Sequence, residues 1–403
     1  MKKHSSSPLL ISLAVFFAYL TLGYVENLKG PSMPYVISDL NFSYATSGNI
    51  LLAASIGFAL ATFFGGFLFE LTGRKTVIFI SAICLTVGIL TYSLFSDVVL
   101  LFIGMFFIGL GMGSILLGGS AIIADIHDAK KGRYLSLLNV CYGIGAMSVP
   151  YVSGSLLVSG VSWRVTFQIS LVLVAVLVVF FLLLRYPARP VLVASKNFKG
   201  FFTLFRAALS RKMAWFYVMI CAHCTAEVAV ATWMVSYLKD VKGMEPYMAS
   251  IYLTIYFACL TVGRLVGSFV IDRLKYIVVL AFSFAGAVVT LALGTCLPAA
   301  FAFILPLTGL FFSSVFPATT ATVSRINSEA GGSALGVLFT FSSTGVMLGS
   351  WIVGILGDAI GLNYAFLSVV LFELVAVVAA VFVYRMLSRT ARNVPGQAAE
   401  QKS

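Results

Sequence analysis

Three ionisable side chains sit where water should be scarce. Glu227 falls in the middle of a long apolar run, His223 precedes it by one helical turn, and Glu26 occupies another apolar run 201 positions earlier. Residues four apart share a helix face, so His223 and Glu227 lie within reach of each other. A charge at the centre of a membrane-crossing helix costs about 2.5–3.5 kcal/mol on insertion scales, which makes such residues functional candidates by default. The chemistry they suit is proton uptake and release. Burial disfavours an ionised carboxylate, whereas a nearby cation or water favours it, and a group that alternates between the two conditions exchanges a proton. An imidazole alongside tunes that balance. On this reading Glu227 is the proton-coupling residue, with Glu26 as partner or alternate and His223 as modulator. Other readings stay open. Glu26 is equally readable as the ion-pair partner of Lys29 at the outer mouth of its helix, Glu227 as a hydrogen-bonded acid joining two helices, and His223 as a packed ring. Glu373 is expected to face a neighbouring helix and carries no assigned role.

The elements that must hold these groups are long apolar helices. Of 403 residues, 60% are apolar and 10% charged, against roughly 25% charged in soluble domains. A membrane-crossing helix needs about 20 apolar residues. Apolar runs near 9–30, 46–69, 76–95, 98–124, 133–158, 164–184, 213–238, 247–271, 276–296, 301–324, 332–357 and 362–384 predict an all-α integral membrane protein of twelve spans. The first run follows Lys2 and Lys3 but is too long for a signal peptide and lacks a small-residue cleavage pattern, so it reads as a span.

The net charge of +12 does not mark a nucleic-acid partner. Lys29, Arg164, Lys239 and Lys242 fall on one side of the predicted topology and Arg264 inside a span, which leaves 21 of the 26 Lys and Arg on the other side. That asymmetry predicts cytoplasmic termini. The six cysteines all lie in apolar runs. Cys221 and Cys224 flank His223 with the spacing of half a metal site, but no second half exists and packing is the preferred reading. Nothing calls for a cofactor or a resident metal.

The chain also resembles itself. Gly109, Leu110 and Ser114 recur as Gly309, Leu310 and Ser314, and GAMSVPYVSG at 145–154 aligns with GVMLGSWIVG at 345–354, all at an offset of 200. Glu26 and Glu227 keep nearly the same offset. The polar interval 185–212, with Pro187, Pro190 and seven basic residues, separates the copies. The expected domains are a six-helix bundle over 1–184, a cytoplasmic linker over 185–212 and a second six-helix bundle with a short tail over 213–403. Parallel six-helix repeats imply a transporter with its site near the midplane, between the halves.

The loop after the second predicted span, GFLFELTGRK at 66–75, resembles the signature of the major facilitator superfamily. Gly66, Leu68, Gly73, Arg74 and Lys75 match it, Glu70 stands for the usual Asp, and Leu71 for an Arg. The resemblance implies a charge clamp of Glu70, Arg74 and Asp125 that breaks and re-forms as the halves rock. Within the superfamily, NVCYGIGAMSVP at 139–150, the Glu227, Trp233, Tyr237 series and FSSVFPATTATVS at 312–324 resemble the fucose–galactose–proton symporter family. That similarity implies Asn139, Tyr142, Trp233 and Tyr237 as substrate-binding residues. The sequence departs from the family at Ser114 and Gly118, where an acid or Asn is usual, and at Ser136 and Asn139, where an Asn and a His are common.

These features imply proton-coupled, alternating-access import of a sugar or similar small polar solute by a protein working as a monomer in the cell membrane. A sodium ion is the other candidate for coupling. The alternative is proton-driven efflux of drugs or metabolites, but exporters usually carry an Arg in the fourth span, where Met105 stands. Enzyme chemistry has no support: the only histidines are 4, 127 and 223.

Overall fold

The computed structural model describes residues 7–72, 74–127, 131–184, 213–270, 276–326 and 331–392. Their helices run, in order, α1 (Pro8–Asn27), α2 (Lys29–Leu40), α3 (Tyr44–Thr72), α4 (Arg74–Leu94), α5 (Val98–Ile126), α6 (Lys131–Val158), α7 (Trp163–Leu183), α8 (Ala214–Asp240), α9 (Pro246–Val270), α10 (Tyr276–Cys296), α11 (Thr308–Phe312), α12 (Val315–Ile326), α13 (Gly331–Ile360) and α14 (Leu362–Arg392). A 3₁₀ segment, Ala299–Leu307, leads into α11. Together they make twelve segments long and apolar enough to cross a bilayer. Large apolar side chains such as Ile83, Phe282 and Leu371 stand exposed on the outside, as lipid-facing residues of a membrane protein do.

The first span corrects the sequence reading. It continues from Pro8 to Leu40 instead of ending near residue 30. Pro31 has no N–H to offer the carbonyl of Asn27, so the hydrogen-bond ladder is interrupted between α1 and α2. Leu28 nevertheless keeps helical angles, and the chain runs on. Glu26 and Lys29 therefore sit in the middle of a span, not at an outer mouth.

The internal repeat is visible in the packing. Gly145 lies against the carbonyl of Leu20, and Gly345 against that of Cys221, so closely that a Cβ at either position would overlap the facing backbone. The first and fifth spans of one half thus meet as the seventh and eleventh of the other do, at small-residue contacts. The turns before α7 and α14 repeat as well, with Gly160 at φ 88° and Gly361 at φ 86°. Only glycine enters that region without a steric cost.

Among the described residues, the halves are hydrogen-bonded at the end of the bundle away from the termini. There Asp358 caps α3 from across the gap: its two oxygens accept from the backbone N–H groups of Tyr44 and Ala45, each at 2.9 Å. Tyr44 donates its hydroxyl to Asp240 at 2.9 Å, and Trp351 donates its indole N–H to Asn49 at 2.8 Å. Between described residues these are the hydrogen bonds that join the halves. Buried apolar residues form two clusters. One unites the first half with the far-end part of the second half. The other, including Phe216, Ile220, Val315 and Val337, belongs to the terminal end of the second half alone. Among the described residues, every hydrogen bond between the halves lies at this one end.

Two local devices brace the far end. Asp39 accepts from the Trp163 indole at 3.0 Å and pairs with Arg164, whose other terminal nitrogen reaches Ser96 at 2.8 Å. Trp163 is buried, so this pair clamps the first span to the sixth. Lys242, in the loop after α8, donates to the carbonyls of Thr295 and Leu297, both at 2.7 Å, and burial holds its pKa below the usual lysine range.

Candidate functional site

Between the halves, near the middle of the spans, a small cleft opens. Glu26, Asn27, Lys29 and Tyr142 line it from the first half. Glu227, Thr232, Tyr256 and Arg264 line it from the second.

Each charged side chain is placed by a helix whose other faces are packed. On α8, Ala226, Ala229 and Val230 are fully buried, which leaves Glu227 turned to the cleft. Arg264 of α9 donates from one terminal nitrogen to Glu227 Oε1 at 3.2 Å. The ring of His223, one turn before Glu227, presents Nε2 at 3.8 Å from Glu227 Oε2. Its Nδ1 lies 3.2 Å from Oε1 of Glu373 on α14. His223 and Glu373 are both completely buried. Phe284 and Phe312 meet the imidazole edge-on and exclude water from its flanks. A continuous row of charged and titratable groups therefore runs from the protein interior to the cleft: Glu373, His223, Glu227, Arg264.

The first half presents a shorter row. Tyr142 of α6 donates its hydroxyl to Glu26 Oε2 at 2.9 Å, and Asn27 lies 3.3 Å from the same hydroxyl. The Lys29 ammonium lines the cleft and, among the described residues, forms no ion pair within 4 Å.

The structure brings Glu26, Tyr142, His223 and Glu227 to this one place. It does not bring Trp233 and Tyr237. Both are fully buried. The Trp233 indole donates to the Ser350 carbonyl at 3.0 Å, and its ring meets Tyr44 edge-on. The Tyr237 hydroxyl donates to Thr295 O at 3.0 Å, and its ring stacks on Phe366. Their hydrogen bonds and ring faces are spent on packing the far end, so neither contacts the cleft. Asn139 is exposed and bonds to Leu135 O at 3.2 Å, one turn along α6 from Gly143, which abuts Thr261 of the other half. It borders the inter-half gap without lining the cleft. Of the implied charge clamp, Asp125 is half-buried in the last turn of α5, while Glu70 and Arg74 lie outside the described side chains. Cys224 is buried, and its Sγ lies 3.1 Å from Ser342 Oγ.

Sequence reasoning left out Lys29, Tyr256, Arg264 and Glu373 as site residues. Arg264 had a signal, a cation inside an apolar run. Lys29 was obscured by the polar stretch around it, and Glu373 by its distance along the chain from any partner.

A helical membrane protein built of two repeated halves around a polar cleft has the architecture of a secondary carrier. The chain belongs to the Major Facilitator Superfamily, whose sequence signature matches residues 15–304 and 243–403. It is 24% identical over 393 residues to the cis,cis-muconate transport protein of Acinetobacter baylyi (strain ATCC 33305 / BD413 / ADP1), covering 92% of this chain and 94% of the relative. Among solved structures it resembles a variant of the nucleoside transporter NupG, with a TM-score of 0.77, 18% identity and coverage of 94% and 99% of the two chains. It also resembles a variant of the E. coli fucose:proton symporter FucP, with a TM-score of 0.65, 18% identity and coverage of 94% and 99%. These likenesses fix the fold: twelve membrane-crossing helices in the two pseudo-symmetric bundles of this superfamily. The protein is a multi-pass membrane transporter, not an enzyme.

Proposed function

We propose that this protein imports a small polar solute together with a proton, by alternating access, with both termini in the cytoplasm and one chain as the working unit. The observation that carries the reading is Glu227, a membrane-embedded carboxylate facing the cleft with Arg264 on one side and His223 on the other. A carboxylate in that position exchanges a proton when the cleft is hydrated and resists carrying bare charge when the cleft is closed. Arg264 competes with the proton for the same oxygens. Protonation of Glu227 therefore loosens the contact between α8 and α9 and frees the guanidinium for solute. Glu26, bonded to Tyr142, is the second candidate for the proton.

The far-end seal of Tyr44, Asp240 and Asp358 fits a state closed at that end, one of the two such a cycle requires. In the orientation given by the basic residues, the sealed end faces away from the cytoplasm. The relatives support a small polar solute, since one is named for cis,cis-muconate transport and another for fucose:proton symport.

The test is proton movement in proteoliposomes containing the full chain. A solute that enters should bring protons in with it, read by an internal pH dye. Glu227→Gln should abolish the dye signal yet retain solute exchange across the membrane. If Glu227→Gln moves protons as well as the wild type does, Glu227 has no part in coupling. If solute drives proton flux outward, the protein works as an exporter.

A further inference from the structure

The cleft holds two cations, one from each half, and a neutral solute needs neither. Lys29 is the more informative. It lies mid-span, where a charge is costly, and no carboxylate approaches its ammonium within 4 Å among the described residues. The acid nearest in sequence, Glu26, is engaged by Tyr142 instead. Arg264 is only partly used: a single terminal nitrogen meets Glu227, although a guanidinium offers five donor hydrogens in a fork suited to carboxylates. Thr232 also lines the cleft, and its buried hydroxyl has no hydrogen-bond partner. Two positive groups and spare hydrogen-bonding capacity therefore face the same space.

We infer that the transported solute is a small hydroxylated monocarboxylate, its carboxylate held between Lys29 and Arg264 and its hydroxyls received by Tyr142, Tyr256 and Thr232. This rests on the proposal that the central cleft is the transport site. Charge counting gives the reason. Glu26, Lys29, Glu227 and Arg264 sum to zero when all are ionised, and the flanking His223 and Glu373 form their own buried pair. A proton on Glu227 leaves the cleft with one positive charge in excess, which a single carboxylate neutralises. Proton and monoanion then load together and cross as a neutral set, the arrangement a low-dielectric occluded state tolerates best. Lys29 is the specificity-determining residue in this scheme, since among the described residues no carboxylate pairs with it within 4 Å.

The experiment uses the full chain in proteoliposomes with an inward proton gradient and five probes: D-glucose, L-fucose, D-glucuronate, D-gluconate and glucose 6-phosphate. Uptake, internal pH and transported charge are read in parallel. The expected result is uptake of glucuronate or gluconate with one proton per molecule and no net current. An imposed potassium–valinomycin potential should then change the rate by less than about twofold. Lys29→Met should weaken carboxylate uptake by roughly tenfold or more, the scale of one charged hydrogen bond. Lys29→Arg should restore most of it, which a merely structural role for the lysine would not predict. The wild-type selectivity stands as a test even if Lys29→Met fails to fold. Electrogenic uptake of a neutral hexose, with both carboxylates excluded, overturns the anion inference and leaves proton coupling intact. Uptake of glucose 6-phosphate alone overturns the monocarboxylate assignment. Proton flux with none of the probes, but with amphipathic drugs, overturns the import reading and this one with it.

Discussion

The two halves were built to one plan and charged differently. Glu26 of the first half and Glu227 of the second stand 201 positions apart and both reach the cleft. Behind Glu227 lies His223, bound to Glu373. At the same offset behind Glu26 lies Leu22, buried among apolar neighbours. The first half therefore supports its carboxylate from the front only, with a phenol, whereas the second holds its own between a guanidinium and a buried imidazole. A repeat supplies two equivalent positions, and only the second-half one has a buried polar pair packed behind it.

The sharpest way to break this contrast is to remove the second-half acid. Glu227→Gln should depress proton-coupled uptake by about 100-fold or more, the lower range seen when a proton-transferring side chain is lost. Glu26→Gln should cost much less, and an equal loss in transport assays would abolish the distinction between the halves. Next in size is the buried pair. His223→Leu copies the first-half residue into the second half and strands Glu373 without a partner, which should destabilise the fold by about 3–5 kcal/mol. The double change His223→Leu with Glu373→Leu should recover most of that loss. Thermal unfolding in detergent provides the double-mutant cycle, and simple additivity would show that the two residues do not act as a pair.

Asp358→Ala removes two charge-assisted caps from the start of α3, each worth roughly 1.5–3 kcal/mol. It should shift the population away from the far-end-closed state, read as faster thiol labelling of Asn49→Cys from that side. Unchanged labelling would mean that the seal does not depend on this carboxylate. The smallest effect is expected from Tyr237→Phe. It deletes one hydrogen bond to Thr295 O, worth about 0.5–1.5 kcal/mol of stability, and should leave the solute KM within about twofold. A large KM change would return Tyr237 to the binding site.

Much of the fold was legible because it rests on length and periodicity. Apolar runs gave the spans, and the repeated glycines gave the halves, since Gly145 and Gly345 occupy equivalent close approaches. Part of the site was legible for the same reason: a helical turn joins His223 to Glu227, and the offset points to Glu26. The rest depended on contacts that sequence spacing does not encode. Trp233 and Tyr237 share the helix of Glu227, but an aromatic that packs and an aromatic that binds look alike in a string of letters. Lys29 sits in a stretch with two prolines, ENLKGPSMP, which reads as a helix end, yet the helix tolerates the break and continues. The partner of Glu373 lies 150 residues away, and nothing in the local sequence names it.

The His223–Glu373 contact also bears on how the molecule is made. Glu373 rides on the last of the twelve spans to leave the ribosome, while its imidazole partner was laid down in the seventh. Throughout synthesis of the intervening spans the histidine waits without its acid. The pair therefore forms only after the span carrying Glu373 has been made and has docked against the seventh, so the second bundle acquires its buried ion pair late in assembly.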